Sequence, residues 1–304
     1  MKLVSNNIIL ILLSSLFHSS WNILTQTSKN SQCFSALKGV WVLILALSYF
    51  LYNGSPLYIG QELYVWALFS GILHGLYILS LSRAYSTEDI SYVYPIARSA
   101  PVFVPLLAWI FLDEILNQVI YLAIGFIVTA IYILHFEGKF VQGIKRLFEA
   151  LLHKNLRWAF ITLGLVVSYS LVDKKAMDKF LFYFPDQPFT NGITFFFLEA
   201  SIGFTLCNIF VFKKFSRDEI FKNWSNDWLK ALFAAIATFA SYGLICFVLQ
   251  FEKLGAVVSL RQISVLMVVY WGCWKLKEPF GKQRILAGFL IFIGIFLISL
   301  SNSE

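Results

Sequence analysis

Apolar windows, each close to the about 20 residues that cross a bilayer as a helix, follow one another along almost the whole chain. Ten can be marked, at about 7–27, 35–52, 64–83, 90–112, 116–135, 157–173, 190–212, 228–250, 254–275 and 283–301. Backbone polar groups in hydrocarbon must be satisfied within their own segment, so windows of this length dictate helices. The fold class that follows is an all-α membrane protein with ten transmembrane helices. Lys2 precedes the first window, but its apolar run outlasts a signal-peptide core and no small-x-small cleavage site follows, so it reads as a membrane helix.

Charge narrows the function classes. Only 13% of the 304 residues are charged, and soluble domains carry about 25%. The net charge of +7 would suggest nucleic acid in a soluble chain. Here lysine and arginine gather in connections, with about 17 in the odd-numbered connections and their flanks and about 5 in the others with both termini. By the positive-inside rule the odd connections are cytoplasmic and the termini lie outside. No basic run is paired with an exposed aromatic platform, so no nucleic-acid partner is expected. The cysteines Cys33, Cys207, Cys246 and Cys273 are scattered without ligand spacing. No disulfide framework, metal site or cofactor follows from them.

Two stretches repeat one pattern. Tyr94-Pro95-Ile96-Ala97-Arg98 leads through Leu112-Asp113-Glu114 to Gly125, and Arg261-Gln262 leads through Leu276-Lys277-Glu278 to Gly288, each arginine 27 positions before its glycine. A charge at mid-membrane costs roughly 2.5 to 3.5 kcal/mol on insertion scales, so arginines in matching places point to an internal polar cavity. The connection 139–156 carries Lys139, Lys145, Arg146 and Lys154 with Phe140, Ile144, Leu147, Phe148 and Leu151 at helical spacing, which suits the inner membrane surface. It divides the chain into repeats at 1–138 and 157–304 with five helices each. An odd number per repeat makes the second enter the membrane inverted, a layout that supports alternating access.

Several side chains stand out as candidates for a substrate site. Arg98 and Arg261 offer planar forks of donors suited to a carboxylate or phosphate; Arg261, near the start of its helix, could instead snorkel to an interface. Glu199 lies well inside the seventh window and there must be protonated, paired, or a site where protons couple to transport. Pro95, Pro101 and Pro105 remove backbone donors from the fourth helix and free carbonyls within it. His18, Trp21 and Asn22 share about one turn of the first helix, and Tyr169 with Asp173 takes a comparable place on the sixth. Asp173 has a second reading, an ion pair with Lys174 and Lys175 at the helix end. His74 and Tyr77 follow Gly71 in a GxxxG spacing that more often marks close helix packing. Tyr242 and Gln250 of the eighth helix and Ser259 and Gln262 of the ninth complete the set. Trp109, Trp228, Trp271 and Trp274 near span ends suit interfacial anchors, and Glu114 and Glu278 suit surface caps or pairs.

Taken with His18-Ser19-Ser20-Trp21-Asn22 and Tyr169-Ser170-Leu171-Val172-Asp173-Lys174, the paired stretches resemble the EamA family of the drug/metabolite transporter superfamily over nearly the whole chain. The resemblance implies ten helices in two five-helix repeats and movement of a small metabolite, often outward. It implies a cavity between the third, fourth, eighth and ninth helices with help from the first and sixth. Members are usually described with both termini in the cytoplasm, opposite to the side given by the charge count.

The expected function is a secondary transporter of a small polar or amphipathic metabolite, an integral protein of a plasma membrane of the bacterial inner-membrane kind. The partners expected are a small-molecule substrate, the lipid bilayer and, on one reading of Glu199, a coupling proton; the chain is expected to act as a monomer or homodimer. Tyr77, Tyr94, Tyr169 and Tyr242 would wall the cavity and Arg98 anchor the solute. Aromatic faces also attract organic cations, which keeps a quaternary amine beside amino acids as a substrate class. An intramembrane enzyme is the rival from another class, but no HExxH, GxSxG or carboxylate cluster for magnesium is present. A passive channel is the third reading. The sequence contains no GxxxxGK[ST] nucleotide loop.

Overall fold

The computed structural model describes residues 2–54, 59–87, 96–97, 99–136, 157–264, 267 and 282–301. Among them are ten helices and no strand: α1 Lys2–Gln26, α2 Ser31–Asn53, α3 Gln61–Thr87, α4 Ala100–Leu112, α5 Gln118–Phe136, α6 Arg157–Tyr183, α7 Pro188–Lys214, α8 Arg217–Leu249, α9 Leu254–Leu260 and α10 Lys282–Ser301. Tyr94, Pro95, Arg98, Trp271, Cys273, Trp274, Lys277, Glu278 and the connection 139–156 lie outside the described residues. Five helices, α1, α2, α3, α7 and α8, are long and apolar enough to cross a bilayer, and α4, α5 and α10 contain shorter apolar stretches. The chain is an integral membrane protein by this pattern.

The bundle is built for lipid. Large apolar side chains such as Leu47, Leu51, Phe69, Phe111, Phe233 and Phe292 point outward, whereas Ser14, Ser15, Ser19, Ser70, Ser80, Thr162, Ser241 and Ser259 are buried. Lipid tails offer no hydrophobic drive for helices to associate, so small residues and hydroxyl bonds hold the interfaces. Ser14 Oγ donates to the carbonyl of Ser241 at 2.8 Å, joining α1 to α8. Ser80 and Thr162 hydroxyls meet at 3.0 Å between α3 and α6. At the GxxxG segment α3 lies backbone to backbone on α7: a Cβ on Gly71 would stand 2.6 Å from the Glu199 carbonyl, and one on Gly203 3.0 Å from the Gly71 carbonyl. The packing reading of that motif holds here.

Helix ends depart from the sequence expectation in four places. Helix α8 begins at Arg217, well ahead of its window at about 228. The sixth helix does not stop at Asp173 but runs ten residues further to Tyr183; lysine stems and the ion pairs described below carry its charged half through the bundle. Pro101 falls in the first turn of α4, where a missing N–H is unneeded, and only Pro105 sits inside the helix. The ninth window is not continuous. Helix α9 ends at Leu260, Arg261 and Gln262 form a turn, and helical residues resume at Ile263 and Ser264. Serines of α1 meet the carbonyls at this break: Ser19 Oγ donates to Ser264 at 3.1 Å and Ser15 Oγ to Arg261 at 3.5 Å.

Helix neighbours follow a paired pattern. α3 packs on α6 and α7, α8 packs on α1 and α2, and α2 meets α7, α5 meets α10 and α4 meets α9. The bundle has two ends. The first holds the α1–α2 connection, the start of α6 and the α7–α8 junction, tied by Lys214 Nζ donating to Gln32 Oε1 at 2.8 Å and Trp224 Nε1 to the Cys33 carbonyl at 3.2 Å. The second holds the α4–α5, α6–α7 and α8–α9 connections.

Candidate functional site

A cavity of about 280 Å³ enters the bundle at the first end, where Ser28, Lys29 and Ser31 line it, and descends to His74, Tyr169, Glu199, Tyr242 and Arg261. Its walls come from α1, α2, α3, α6, α7 and α8. A side chamber of about 60 Å³ shares His18, Asn22, Tyr77, Tyr169 and Arg261 and adds Ala97, Ala100 and Gln262. Most sequence candidates meet here: His18, Trp21, Asn22, His74, Tyr77, Tyr169, Glu199, Tyr242 and Arg261 line the main cavity. Ser259 does not. It is fully buried and its hydroxyl donates to the Gly255 carbonyl at 2.7 Å within α9. Gln250 sits at the second end, bonded to Asn191 and the Pro188 carbonyl.

The floor is a cluster of ionisable side chains. Asp173 has no exposed surface, which removes the helix-end reading. Ser70 Oγ donates to its Oδ1 at 2.5 Å and the Tyr242 hydroxyl to its Oδ2. His74 stands between the acids, Nδ1 3.3 Å from Glu199 Oε2 and Nε2 3.9 Å from Asp173 Oδ2. Its ring stacks on Tyr169 with centroids 4.0 Å apart and meets Tyr242 edge-on. Glu199 therefore has a histidine as its neighbour and no arginine within ion-pair distance among the described residues. A carboxylate buried at this depth is tolerable only with such partners. GxxxG packing explains the placement, because Gly71 and Gly75 let α3 press on α7 and bring His74 level with Glu199.

One wall carries two cations. Lys38 of α2, 3% exposed, holds its ammonium 3.8 Å from the Trp21 ring centroid and 5.4 Å from that of Phe204. Gly39 beside it makes room, since a Cβ there would stand 2.7 Å from Phe204. Arg261 lies with its Nη2 3.3 Å from His18 Nδ1 and its guanidinium over Tyr242 at 5.3 Å, so it faces the cavity and does not snorkel. His18 and Trp21 meet edge to face between the two cations. Lys38, Phe196 and Phe204 were not candidates from sequence. A charge inside an apolar window was the available signal, and Lys38 carried it.

The second end is closed by polar contacts. Lys174 Nζ donates to Asp178 Oδ1 at 2.6 Å and to the Leu249 carbonyl at 2.9 Å, with Glu114 Oε1 3.8 Å away. Glu114 Oε2 accepts from the Leu254 N–H at 2.8 Å, capping α9 from the α4–α5 connection. Asn7 Nδ2 donates to Glu252 Oε1 at 2.8 Å. Burial pushes the Glu114 carboxyl above its ordinary range, against the pull of Lys174 and the Leu254 N–H. Glu114 is thus a cap and a pair, as expected, but with its side chain only 10% exposed, packed toward α9 and α6.

The model of the EamA-like transporter family matches this chain twice, over residues 6–136 and 179–300. The chain belongs to the EamA-like transporter family. Membership gives it a transporter role in a membrane, with a small molecule and lipid as partners; the family is one of transporters. No curated protein matches the chain significantly. Solved structures share this fold: 28 chains match, among them a crystal structure of a protein 12% identical with a TM-score of 0.67, covering 97% of each chain.

Proposed function

We propose that this EamA-like protein is a secondary transporter that carries a small polar or amphipathic metabolite outward across a plasma membrane, loading it in the cavity above the His74, Glu199 and Asp173 cluster. The observation that carries the reading is a cavity open at one end and stopped at mid-bundle by buried ionisable groups, while polar contacts seal the other end. A carrier in one of its two access states has this form; a passive channel has no reason to be sealed by so many bonds. The first end holds the described α1–α2 and α7–α8 connections, which belong to the lysine-rich odd set of the sequence, so the positive-inside rule makes it cytoplasmic and the access state inward-facing.

Two inverted five-helix repeats, at 1–138 and 157–304, account for the packing. Exchanging the halves turns α3–α6 into α8–α1 and α3–α7 into α8–α2, and both members of each pair are in contact. The contacts α2–α7, α4–α9 and α5–α10 map onto themselves. A half turn about an in-plane axis produces such a pattern, and the two access states then exchange the roles of the repeats. His74 between two carboxylates can pass a proton between them as access changes, the role assigned to Glu199 and Asp173. Tyr94, Pro95 and Arg98 remain substrate-site candidates alongside the cavity residues.

Proteoliposome counterflow tests the reading. External labelled solute should accumulate transiently against unlabelled internal solute and saturate with concentration, without chemical change. Linear, non-saturating flux would mean a channel, and a chemically altered product would mean an enzyme.

A further inference from the structure

The floor carboxylates are already served. Asp173 takes hydrogen bonds on both oxygens, and Glu199 faces His74. The cations are not. Among the described residues neither Lys38 nor Arg261 has a carboxylate within 4.0 Å, although each lines the cavity. Lys38 is the more exposed to this argument. It lies two turns inside α2, is 3% exposed, and its ammonium rests on aromatic faces. An aromatic face supports a cation electrostatically but supplies no counter-charge.

The same contacts bear on organic cations as substrates. Tryptophan offers the best face for a cation, and the Trp21 face is covered by Lys38 while Tyr242 carries Arg261. A cationic solute would find these positions taken and two like charges beside it. An anionic head group would find an ammonium without a partner near the entrance and a guanidinium deeper in, linked along one wall by Trp21 and His18.

We propose that Lys38 receives the anionic head group of the solute, so that the cavity selects metabolites bearing a carboxylate or comparable anion and rejects amines without one. This assignment rests on the carrier reading. It requires that the carried molecule be anionic or zwitterionic, with its apolar part on Tyr77, Phe196 and Phe204.

A charge series on one skeleton tests it: 3-phenylpropionate, phenylalanine, 3-phenylpropanol and phenethylamine, each titrated into the purified full-length protein at constant ionic strength while thermal unfolding is followed. Ligands that bind only the folded state raise the midpoint. The anion and the zwitterion should raise it; the alcohol and the amine should not. Lys38→Gln should weaken binding of 3-phenylpropionate roughly tenfold or more, the scale of one charge-assisted hydrogen bond, and Lys38→Arg should restore it. A midpoint raised equally by phenethylamine, no response to any of the four, or an unchanged anion response in Lys38→Gln overturns the proposal. Should Lys38→Gln fail to fold, the series on the unmodified chain decides alone. Saturable counterflow of phenethylamine would leave the carrier standing and end the Lys38 assignment, whereas linear flux of every solute would end the carrier.

Discussion

At the second end Lys174, Asp178, Glu114 and the Leu249 carbonyl gather α6, α8 and the α4–α5 connection into one polar cluster, with Asn7 and Glu252 adding α1. At the first end a cavity walled by residues of α1, α2, α3, α6, α7 and α8 descends to His74 and Glu199. The contrast is one of function and not of stability, since both ends contain charged side chains. Charges at the closed end find each other; charges in the open cavity, Lys38 and Arg261, face space large enough for a solute. A protein that alternates must be able to trade these two conditions between its ends, and that requirement orders the predictions.

The largest effect should come from the cavity. Arg261→Gln removes the guanidinium between His18 and Tyr242 and is expected to lower counterflow roughly 100-fold, at the upper end of what loss of a charged contact costs in binding, while the protein still reaches the membrane in unchanged amount. Retained flux would separate Arg261 from the solute path. Next comes the closed end. Lys174→Met leaves the largely buried Glu114 without its cation, while Asp178, 43% exposed, keeps its water; the cost falls below the about 3 to 5 kcal/mol of a fully buried pair and is read as a fall in the thermal midpoint. The variant should also open the second end to aqueous reagents. Third, Gly71→Ala forces α3 off α7 where little can yield, because the atoms in the way are the Glu199 carbonyl and the Ile202 Cβ, both 2.6 Å from the added carbon. Overpacking of this kind costs about 1 to 3 kcal/mol, and flux should fall with it as His74 leaves Glu199. Smallest of all, Lys179→Met breaks the exposed bridge to Glu62, 2.9 Å long at the rim. Midpoint and flux should stay within error, which would show that the closed end is held by its buried contacts and not by its rim.

Fold class was legible because it needs only window length and polarity, and α2, α3 and α7 lie where their windows predict, whereas α8 begins at Arg217, well ahead of its window at about 228. Ends were less so. Charge at Asp173, Lys174 and Lys175 reads as a helix terminus when each residue is weighed alone; the structure continues α6 because Ser70 and Tyr242 come from α3 and α8 to meet Asp173, and the Leu249 carbonyl and Glu114 meet Lys174. No local signal encodes those partners. Lys38 shows the same limit from the other side. In a tally of loop charge it counts as a flank of the first connection, whereas α2 begins at Ser31 and places it inside the bundle. The polar candidates on α1, α3 and α8 were found because each sits in an otherwise apolar helix, but their grouping around His74 depends on helix rotation. Gly71, Gly75 and Gly203 set that rotation, and the sequence shows the glycines without the partner they face.

The central claim is that one cavity is reached from one side at a time. Thr238 lines the cavity on α8, so Thr238→Cys, in a chain whose Cys33, Cys207, Cys246 and Cys273 are replaced by alanine, reports access to it. In sealed vesicles of defined orientation, a membrane-impermeant thiol reagent should label it from the first end only, and adding Lys174→Met should shift labelling toward the second end while labelling from the first declines. Labelling from both sides at once in the chain that keeps Lys174, or from the first end alone whatever is done to Lys174, would contradict the account.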